Sequence, residues 1–516
     1  MQVSSANDPL DWVAAVLQQD ADRLLLETTD GRRFSYCDFD ALSGRLAAAL
    51  ALRGVVAGDR VAAQVDKSAE AVALYMACLR LGAVFVPLNT AYTLVELDYF
   101  LGDSSPRVAV VRPQMLGEAS SLHRGVRFET LTAGGDGSLT ELAAGCAAKP
   151  HDPAVRNPAA LAALLYTSGT TGRSKGAMLS RGNLATNAAT LAHSWRFTTT
   201  DVLLHALPIF HVHGLFVAIN AVLASGSSML FLPRFDAEEV VRLLPRCSVF
   251  MGVPTFYTRL LQQPALNRET TRNMRLFVSG SAPLLPETHR EFRERTGYSI
   301  LERYGMSETL MNTSNPYDGE RIPGSVGPAL PGVEVRVTDP ESGTVLTQPD
   351  AVGMIEVRGP NAFSGYWRLP ERTAAEFRSD GFFITGDLGR IDAQGYVYVV
   401  GRGKDLIISG GYNVYPIEVE SEIDALPGVS ESAVVGVPHP DFGEGVIAVV
   451  VREKDATIDE TFIRNALQAR LANFKLPKRV MFVEELPRNT MGKVQKGLLR
   501  ETCRDLFAPT GNNIDG

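Results

Sequence analysis

Residues 166–176 read YTSGTTGRSKG and follow directly on the apolar run LAALLYT (161–167). Glycines let a backbone approach an anion closely, hydroxyls donate hydrogen bonds and a lysine brings positive charge, so this composition suits a polyphosphate. The spacing is not that of the G-x-x-x-x-G-K-[ST] loop, because neither Gly169 nor Gly172 stands at the required distance before a Gly-Lys pair. Ser, Thr and Gly are also what ordinary surface turns are made of. The surrounding chain decides between the two readings.

Upstream and downstream of this loop, apolar strands alternate with helical stretches. The run SGRLAAALALRG (43–54) predicts a helix ended by Gly54, and RVAAQV (60–65) a buried strand. A second helix over AEAVALYMACLRLG (69–82) is followed by the strand AVFVPLN (83–89). PRVAVVRP (106–113), DVLLHALP (201–208), SSMLFLP (227–233), SVFMGVP (248–254) and MRLFVSGS (274–281) continue the series. This rhythm predicts an α/β fold of parallel sheets covered by helices. From about residue 325 the texture changes to short strands and glycine turns, as in GVEVRVTD, GMIEVRGP and GYVYVVGRG, which predicts a distorted β-barrel. After GRGKD (401–405) comes an α+β section, with helices over 417–426 and 459–472. We therefore expect a large N-terminal domain over 1–402 and a small α+β C-terminal domain over 403–516.

With 516 residues, of which 45% are apolar and 21% charged, the chain is globular and long enough for more than one core. A formal net charge of −8 with scattered Lys and Arg gives no footprint for nucleic acid. The five cysteines lie far apart without a C-x-x-C pair, which predicts free thiols. The start MQVSSANDPLDW lacks the basic and apolar regions of a signal peptide. No run of about 18 apolar residues is present to span a membrane. Together these features predict a cytoplasmic protein that works without a membrane partner.

Several glycine loops stand at the ends of predicted strands, where α/β folds bind ligands. Besides YTSGTTGRSKG these are GSAP (280–283), ERYGMSET (302–309), ITGD (384–387), GRGKDLIISGGYNVYP (401–416) and PRNTMGKVQKGLLR (487–500). In this order and at these distances they resemble the adenylate-forming superfamily of acyl-CoA synthetases, luciferases and peptide-synthetase adenylation domains. The resemblance covers about residue 20 to residue 507. It implies that a carboxylate attacks the α-phosphate of ATP, giving an acyl-adenylate and pyrophosphate, and that the thiol of coenzyme A then displaces AMP.

The resemblance also assigns roles. Thr167, Ser168, Gly169, Thr170, Thr171, Gly172 and Lys175 would hold the β- and γ-phosphates. Glu308, with Thr167, would hold Mg²⁺, a hard cation that takes carboxylate and phosphate oxygens. Gly280, Ser281, Ala282 and Pro283, the segment Glu302, Arg303, Tyr304, Gly305, Met306 and Ser307, and the pair Asp387 and Arg402 would surround the nucleotide. Lys493 matches the adenylation lysine, a position that makes it a target for a lysine acetyltransferase and deacetylase. Lys404 occupies the hinge of a small domain that is mobile in the family. Gly410, Gly411 and Tyr412 would line the path of the thiol.

At the residue before Tyr304, most acyl-CoA ligases of this superfamily have glycine, whereas this chain has Arg303. A buried guanidinium calls for a counter-charge, and a second carboxylate on the substrate would supply it. His211 and His213 of FHVHG (210–214) would form a wall of the acid pocket, with Ser281 and Met306, and His211 is a further catalytic candidate. Arg259, in VPTFYTRLL (253–261), reads either as a second cation of that pocket or as a helix-surface arginine. The strings ALPIFHVHGLF, VPTFYTRLL and LERYGMSETLMNTSNPYDG are similar to those of the family's malonate-activating members. They imply malonate, and with it methylmalonate, as the acid. No carrier-protein segment follows Lys493 of the kind that a peptide-synthetase module would use.

Overall fold

The computed structural model describes residues 8–123, 125–149, 157–167, 174–468, 470–489 and 492–507. Ser168, Gly169, Thr170, Thr171 and Gly172 lie outside these described residues. Packing divides the chain into two compact units, one of Met1–Val335 with Val357–Phe383 and the other of Arg336–Glu356 with Ile384–Gly516.

The first unit holds two sheets. The larger runs, in spatial order, through Leu310–Ser314, Leu301–Met306, Leu276–Ser279, Val249–Gly252, Val202–His205, Ser228–Phe231, Leu24–Thr28 and Arg33–Ser35. The smaller runs through Arg127–Thr130, Val108–Val111, Arg60–Gln64, Val84–Pro87, Leu161–Thr167 and Lys175–Ser180. Interior strands such as Val249–Gly252 and Val108–Val111 are buried at every residue, as parallel strands covered on both faces must be. The predicted helix at 69–82 forms over Ala69–Leu81, capped by Ser68 and ended by Gly82 at φ 67°.

Three strand pairs depart from the parallel expectation. Arg33–Ser35, Leu310–Ser314 and Lys175–Ser180 pair antiparallel with their neighbours at the sheet edges. The last is decisive for the site. The chain that leaves at Thr167 comes straight back at Lys175, and these two residues face each other across the ladder.

A buried ion pair ties the start of this unit to its centre. The Arg181 side chain is 1% exposed, its Nε 2.5 Å from Asp8 Oδ2, and its Nη1 donates to the Leu79 carbonyl at 2.8 Å. Asp8 also caps the helix Pro9–Asp20 by accepting from the Leu10 N–H.

Glu334–Thr338, Gly353–Arg358, Phe383–Ile391 and Val397–Arg402, most of whose residues belong to the second unit, form a four-stranded sheet, where the sequence pattern suggested a distorted barrel. A further sheet contains the long pair Val429–His439 and Gly443–Arg452, with Arg479–Val483 parallel to the latter. Alternate residues of the long pair enter two cores. Val434, Val446, Ala448 and Val450 pack with Ile463 and Leu467, while Ala433, Val435, Val437, Ile447 and Val449 pack with Leu499 and Cys503. Asp387 pairs with Arg402 across the four-stranded sheet, both within the second unit, which resumes at Ile384. All five cysteines are free, and among the described residues no helix is long and apolar enough to cross a membrane.

Asp8→Asn keeps the size and capping oxygen of the side chain but strands the Arg181 charge. It is expected to lower unfolding free energy by about 3 kcal/mol in urea titration. A change near zero contradicts the role of this pair.

Candidate active site

The phosphate end of the site is built on the hairpin that opens at Thr167 and closes at Lys175. The segment after Phe363 lies beside the returning strand, with Trp367 N–H donating to the Gly176 carbonyl at 2.8 Å and Met178 N–H to that of Gly365 at 2.9 Å. This places Tyr366 over the loop base, its ring centroid 4.2 Å from Lys175 Nζ. The Tyr366 hydroxyl lies 3.1 Å from Glu308 Oε1 and 2.7 Å from Glu376 Oε2. Thr167 Oγ1 donates to Glu308 Oε1 at 3.4 Å, and Lys175 Nζ sits 3.1 Å from Glu376 Oε1. Burial, and then the two carboxylates, hold the Tyr366 phenol far above its ordinary range, so it stays a donor.

Among the described residues no group of three or more His, Cys, Asp and Glu could hold a metal by itself. Glu308 and Thr167 together offer one carboxylate and one hydroxyl. That set fits Mg²⁺, which binds through one or two protein carboxylates and takes its other ligands from phosphates and water.

The acid end is built on the strand Leu301–Met306. Arg303 is 3% exposed, and among the described residues its Nε and Nη2 have no hydrogen-bond partner. Its guanidinium lies flat against the chain at Gly280, where a Cβ would stand 2.5 Å from Cζ. A side chain at Gly280 would therefore displace the Arg303 guanidinium. Burial lowers the Arg303 pKa to about 9, with Tyr257 acting in the opposite sense, so the group is still a cation at neutral pH.

His213 is wholly buried, its Nδ1 3.3 Å from Ser281 Oγ and its Nε2 without a partner among the described residues. Burial, and then the Arg303 charge, push its pKa well below the usual imidazole value, so the ring is neutral. Ser281 takes φ 75°, a left-handed conformation at the turn that follows Leu276–Ser279. His211 is half-buried and accepts from the His213 N–H through Nδ1 at 3.3 Å.

The FHVHG turn is held from below. Lys67 Nζ lies 2.8 Å from His205 Nδ1, and His205 Nε2 is 2.9 Å from the Gly214 carbonyl. A Cβ on Gly214 would fall 2.0 Å from the Pro208 oxygen. This support from Lys67 was not readable in the sequence, since its partners are 138 residues away.

Other expected residues take mixed positions. The Glu302 carboxyl accepts from the Gly324 N–H at 3.2 Å, and burial raises its pKa to about 8, so it is a neutral structural acid at pH 7. Tyr304, Met306 and Ser307 are half-buried, as are Ser281 and Ala282, while Pro283 is exposed. Gly305 sits at a register shift, where a Cβ would overlap the Leu310 oxygen at 1.9 Å. Arg259 is exposed on the helix Pro254–Leu261, whereas its neighbour Tyr257 is buried and within electrostatic reach of Arg303.

In the second unit Asp387, 4% exposed, pairs with Arg402, whose Nε is 2.8 Å from Oδ1. Lys404 is exposed in the turn Gly403–Asp405. Lys493 N–H donates to Asn489 Oδ1 at 3.0 Å. Although this residue keeps solvent contact, desolvation, then the Arg402 charge, with Lys404 adding to it, lower its pKa to about 8 against the pull of Asp387 and Asp405. Gly410 and Gly411 have φ 60° and 81° and make the two-residue turn between Ile407–Ser409 and Tyr412–Val414. Tyr412 is exposed and stacks on Phe474 with centroids 4.7 Å apart.

Sequence reading missed Tyr366 and Glu376. Both lie in FSGYWRLPERTAAEF (363–377), where an aromatic pair precedes the short helix Pro370–Glu376 and nothing local marks a site.

Residues 7–367 match the model of the AMP-binding enzyme family, and residues 418–493 match that of the AMP-binding enzyme C-terminal domain. The chain is 36% identical over 480 residues to the indoleacetate–CoA ligase of Aromatoleum aromaticum, covering 91% of this chain and 93% of that protein. It is equally 36% identical over 471 residues to the mitochondrial malonate–CoA ligase of Mus musculus, covering 83% and 78%. Among solved structures, ATP-bound MatB from Rhodopseudomonas palustris is 58% identical with a TM-score of 0.94, over 97% of this chain and 100% of that one.

Lys493 is expected to react with an amine-specific acylating reagent along a titration curve centred near pH 8, read by peptide mapping across pH 6–11. A curve centred above pH 10 contradicts the electrostatic setting described for it.

Proposed function

The chain belongs to the AMP-binding enzymes and is an AMP-forming acid–thiol ligase, and from that premise we propose that it joins malonate, and also methylmalonate, to coenzyme A. The names of its relatives do not choose the acid, since an indoleacetate ligase and a malonate ligase are equally similar to it. The observation that carries the choice is Arg303. A buried guanidinium with two unpartnered nitrogens asks for a carboxylate, and only a diacid brings one besides the carboxylate that reacts. The adjacent neutral His213, its Nδ1 turned to Ser281, leaves Nε2 as a second donor for the same group.

In the proposed first step, an oxygen of the free malonate carboxylate attacks the α-phosphorus of ATP. The bond from that phosphorus to the bridging oxygen of the β-phosphate breaks, and pyrophosphate leaves with the electron pair. Lys175 and Thr167, with Ser168, Thr170, Thr171 and the backbone of Gly169 and Gly172, hold the β- and γ-phosphates. Glu308 and Thr167 hold Mg²⁺, which when bound offsets phosphate charge. Asp387, oriented by its pair with Arg402, accepts from the ribose hydroxyls. Tyr304, Gly280 and Ala282 bracket adenine.

Lys493 stabilises the charge that grows between the carboxylate and the α-phosphate. In the second step the coenzyme A thiolate attacks the acyl carbon and AMP departs, a reaction in which Lys493 has no part. The boundary between residues 402 and 403, with Lys404 as pivot and Gly410 and Gly411 on the thiol path, belongs to the same proposal. Acetylation of Lys493 removes the charge that the first step needs.

Four outcomes are expected. AMP release measured across acetate, malonate, methylmalonate, succinate and a medium-chain fatty acid is fastest with malonate and turns over only with coenzyme A; a preference for acetate or the fatty acid refutes the reading. Arg303→Gly raises the KM for malonate by about 100-fold while leaving that for ATP near its original value; unchanged malonate kinetics remove Arg303 from the pocket. Lys493→Ala slows adenylation by about 100-fold or more but spares thiol transfer from supplied malonyl-adenylate. In the unmodified enzyme the adenylation rate falls as pH rises through about 8, because the Lys493 charge is present below that value and lost above it.

A further inference from the structure

A lysine that serves a polyphosphate is not waiting free in this fold. Lys175 Nζ is 3.1 Å from Glu376 Oε1, with side chains only 16% and 17% exposed. The carboxylate has two other partners that do not depend on Lys175. The Tyr366 hydroxyl lies 2.7 Å from Oε2, and Arg372 Nη2 lies 2.6 Å from Oε1, one helical turn back on Pro370–Glu376. Tyr366 in turn reaches Glu308 Oε1 at 3.1 Å. The cluster thus contains two cations, Lys175 and Arg372, against two carboxylates, Glu376 and Glu308.

We propose that Glu376 is an internal counter-ion that competes with pyrophosphate for Lys175, holding the lysine in place between turnovers and hastening departure of that product. This rests on the reading that Lys175 binds the phosphates. The exchange is cheap in one direction and unfavourable in the other. When a polyphosphate takes Lys175, Glu376 keeps Arg372 and Tyr366 and is not stranded. It does, however, remain as a negative group beside a multiply charged anion and raises that anion's free energy. When the anion leaves, Lys175 returns to Glu376 and is not left as an unpaired, largely buried cation. The helix places Glu376 as a positioning residue, and it touches neither the acid nor the reacting phosphorus.

The test is the inhibition constant of magnesium pyrophosphate against ATP in the adenylation step, for the full-length enzyme and for Glu376→Gln, Lys175→Ala and the double variant, with melting temperatures checked alongside. Glu376→Gln is expected to tighten pyrophosphate inhibition by about 5-fold or more. Glu376→Ala is expected to do the same. A residue that merely supports the fold, or that helps hold the metal, gives the opposite sign. Lys175→Ala is expected to weaken inhibition, and adding Glu376→Gln to it to tighten inhibition by less than the same change does beside an intact Lys175. Unchanged or weakened inhibition in Glu376→Gln, with the Lys175→Ala effect present, overturns the counter-ion role and leaves the phosphate role of Lys175 standing. No effect of Lys175→Ala overturns both.

Discussion

A guanidinium sealed into a protein interior without a carboxylate beside it is the constraint around which the acid end of this molecule is arranged. Arg303 packs over Gly280, where a methyl group would displace its guanidinium. It needs a neutral His213 because a second buried cation at that place would be repelled, and burial together with the arginine itself keeps the imidazole uncharged. The strand that carries it ends in a tight reversal, where the left-handed Leu310 and the crowded Gly305 return the chain along Leu310–Ser314. That reversal also carries Glu308. One hairpin therefore carries both the buried guanidinium of Arg303 and the carboxylate of Glu308.

The phosphate end follows a similar logic of opposed charges held at close range. Thr167 and Lys175 are brought face to face by an antiparallel edge pair, and Tyr366 ties the carboxylates of Glu308 and Glu376 together from the other side. In the second unit, Asp387 and Arg402 form a pair across adjacent strands, and the same arginine helps to lower the pKa of Lys493. A lysine poised near neutrality can lose its charge within the physiological range.

Much of this was legible in the sequence, and the failures have physical causes. The helix at 69–82 was readable because its cap, its apolar content and its terminal glycine agree. Arg303 was readable as an arginine where glycine is usual, but only the structure shows that its Nε and Nη2 have no partner among the described residues. Thr167 and Lys175 pair antiparallel at one sheet edge, a choice that composition cannot make, because a glycine-rich stretch after a strand is compatible with a following helix or strand. Lys67 and Glu376 were invisible since their partners lie 138 and 201 residues away. The four-stranded sheet groups with the C-terminal residues through strand pairing, which a change in sequence texture does not reveal.

The central claim is that Arg303 reads a second carboxylate on the acid. Its most direct test is pyrophosphate release by the unmodified enzyme with malonate and with the malonate half-ester, in which a methyl group caps one carboxylate. The expected result is a kcat/KM for the half-ester about 100-fold or more below that for malonate, with the ATP dependence unchanged. Equal rates for the two acids would contradict the claim, because the buried guanidinium would then be indifferent to the charge it is held to meet.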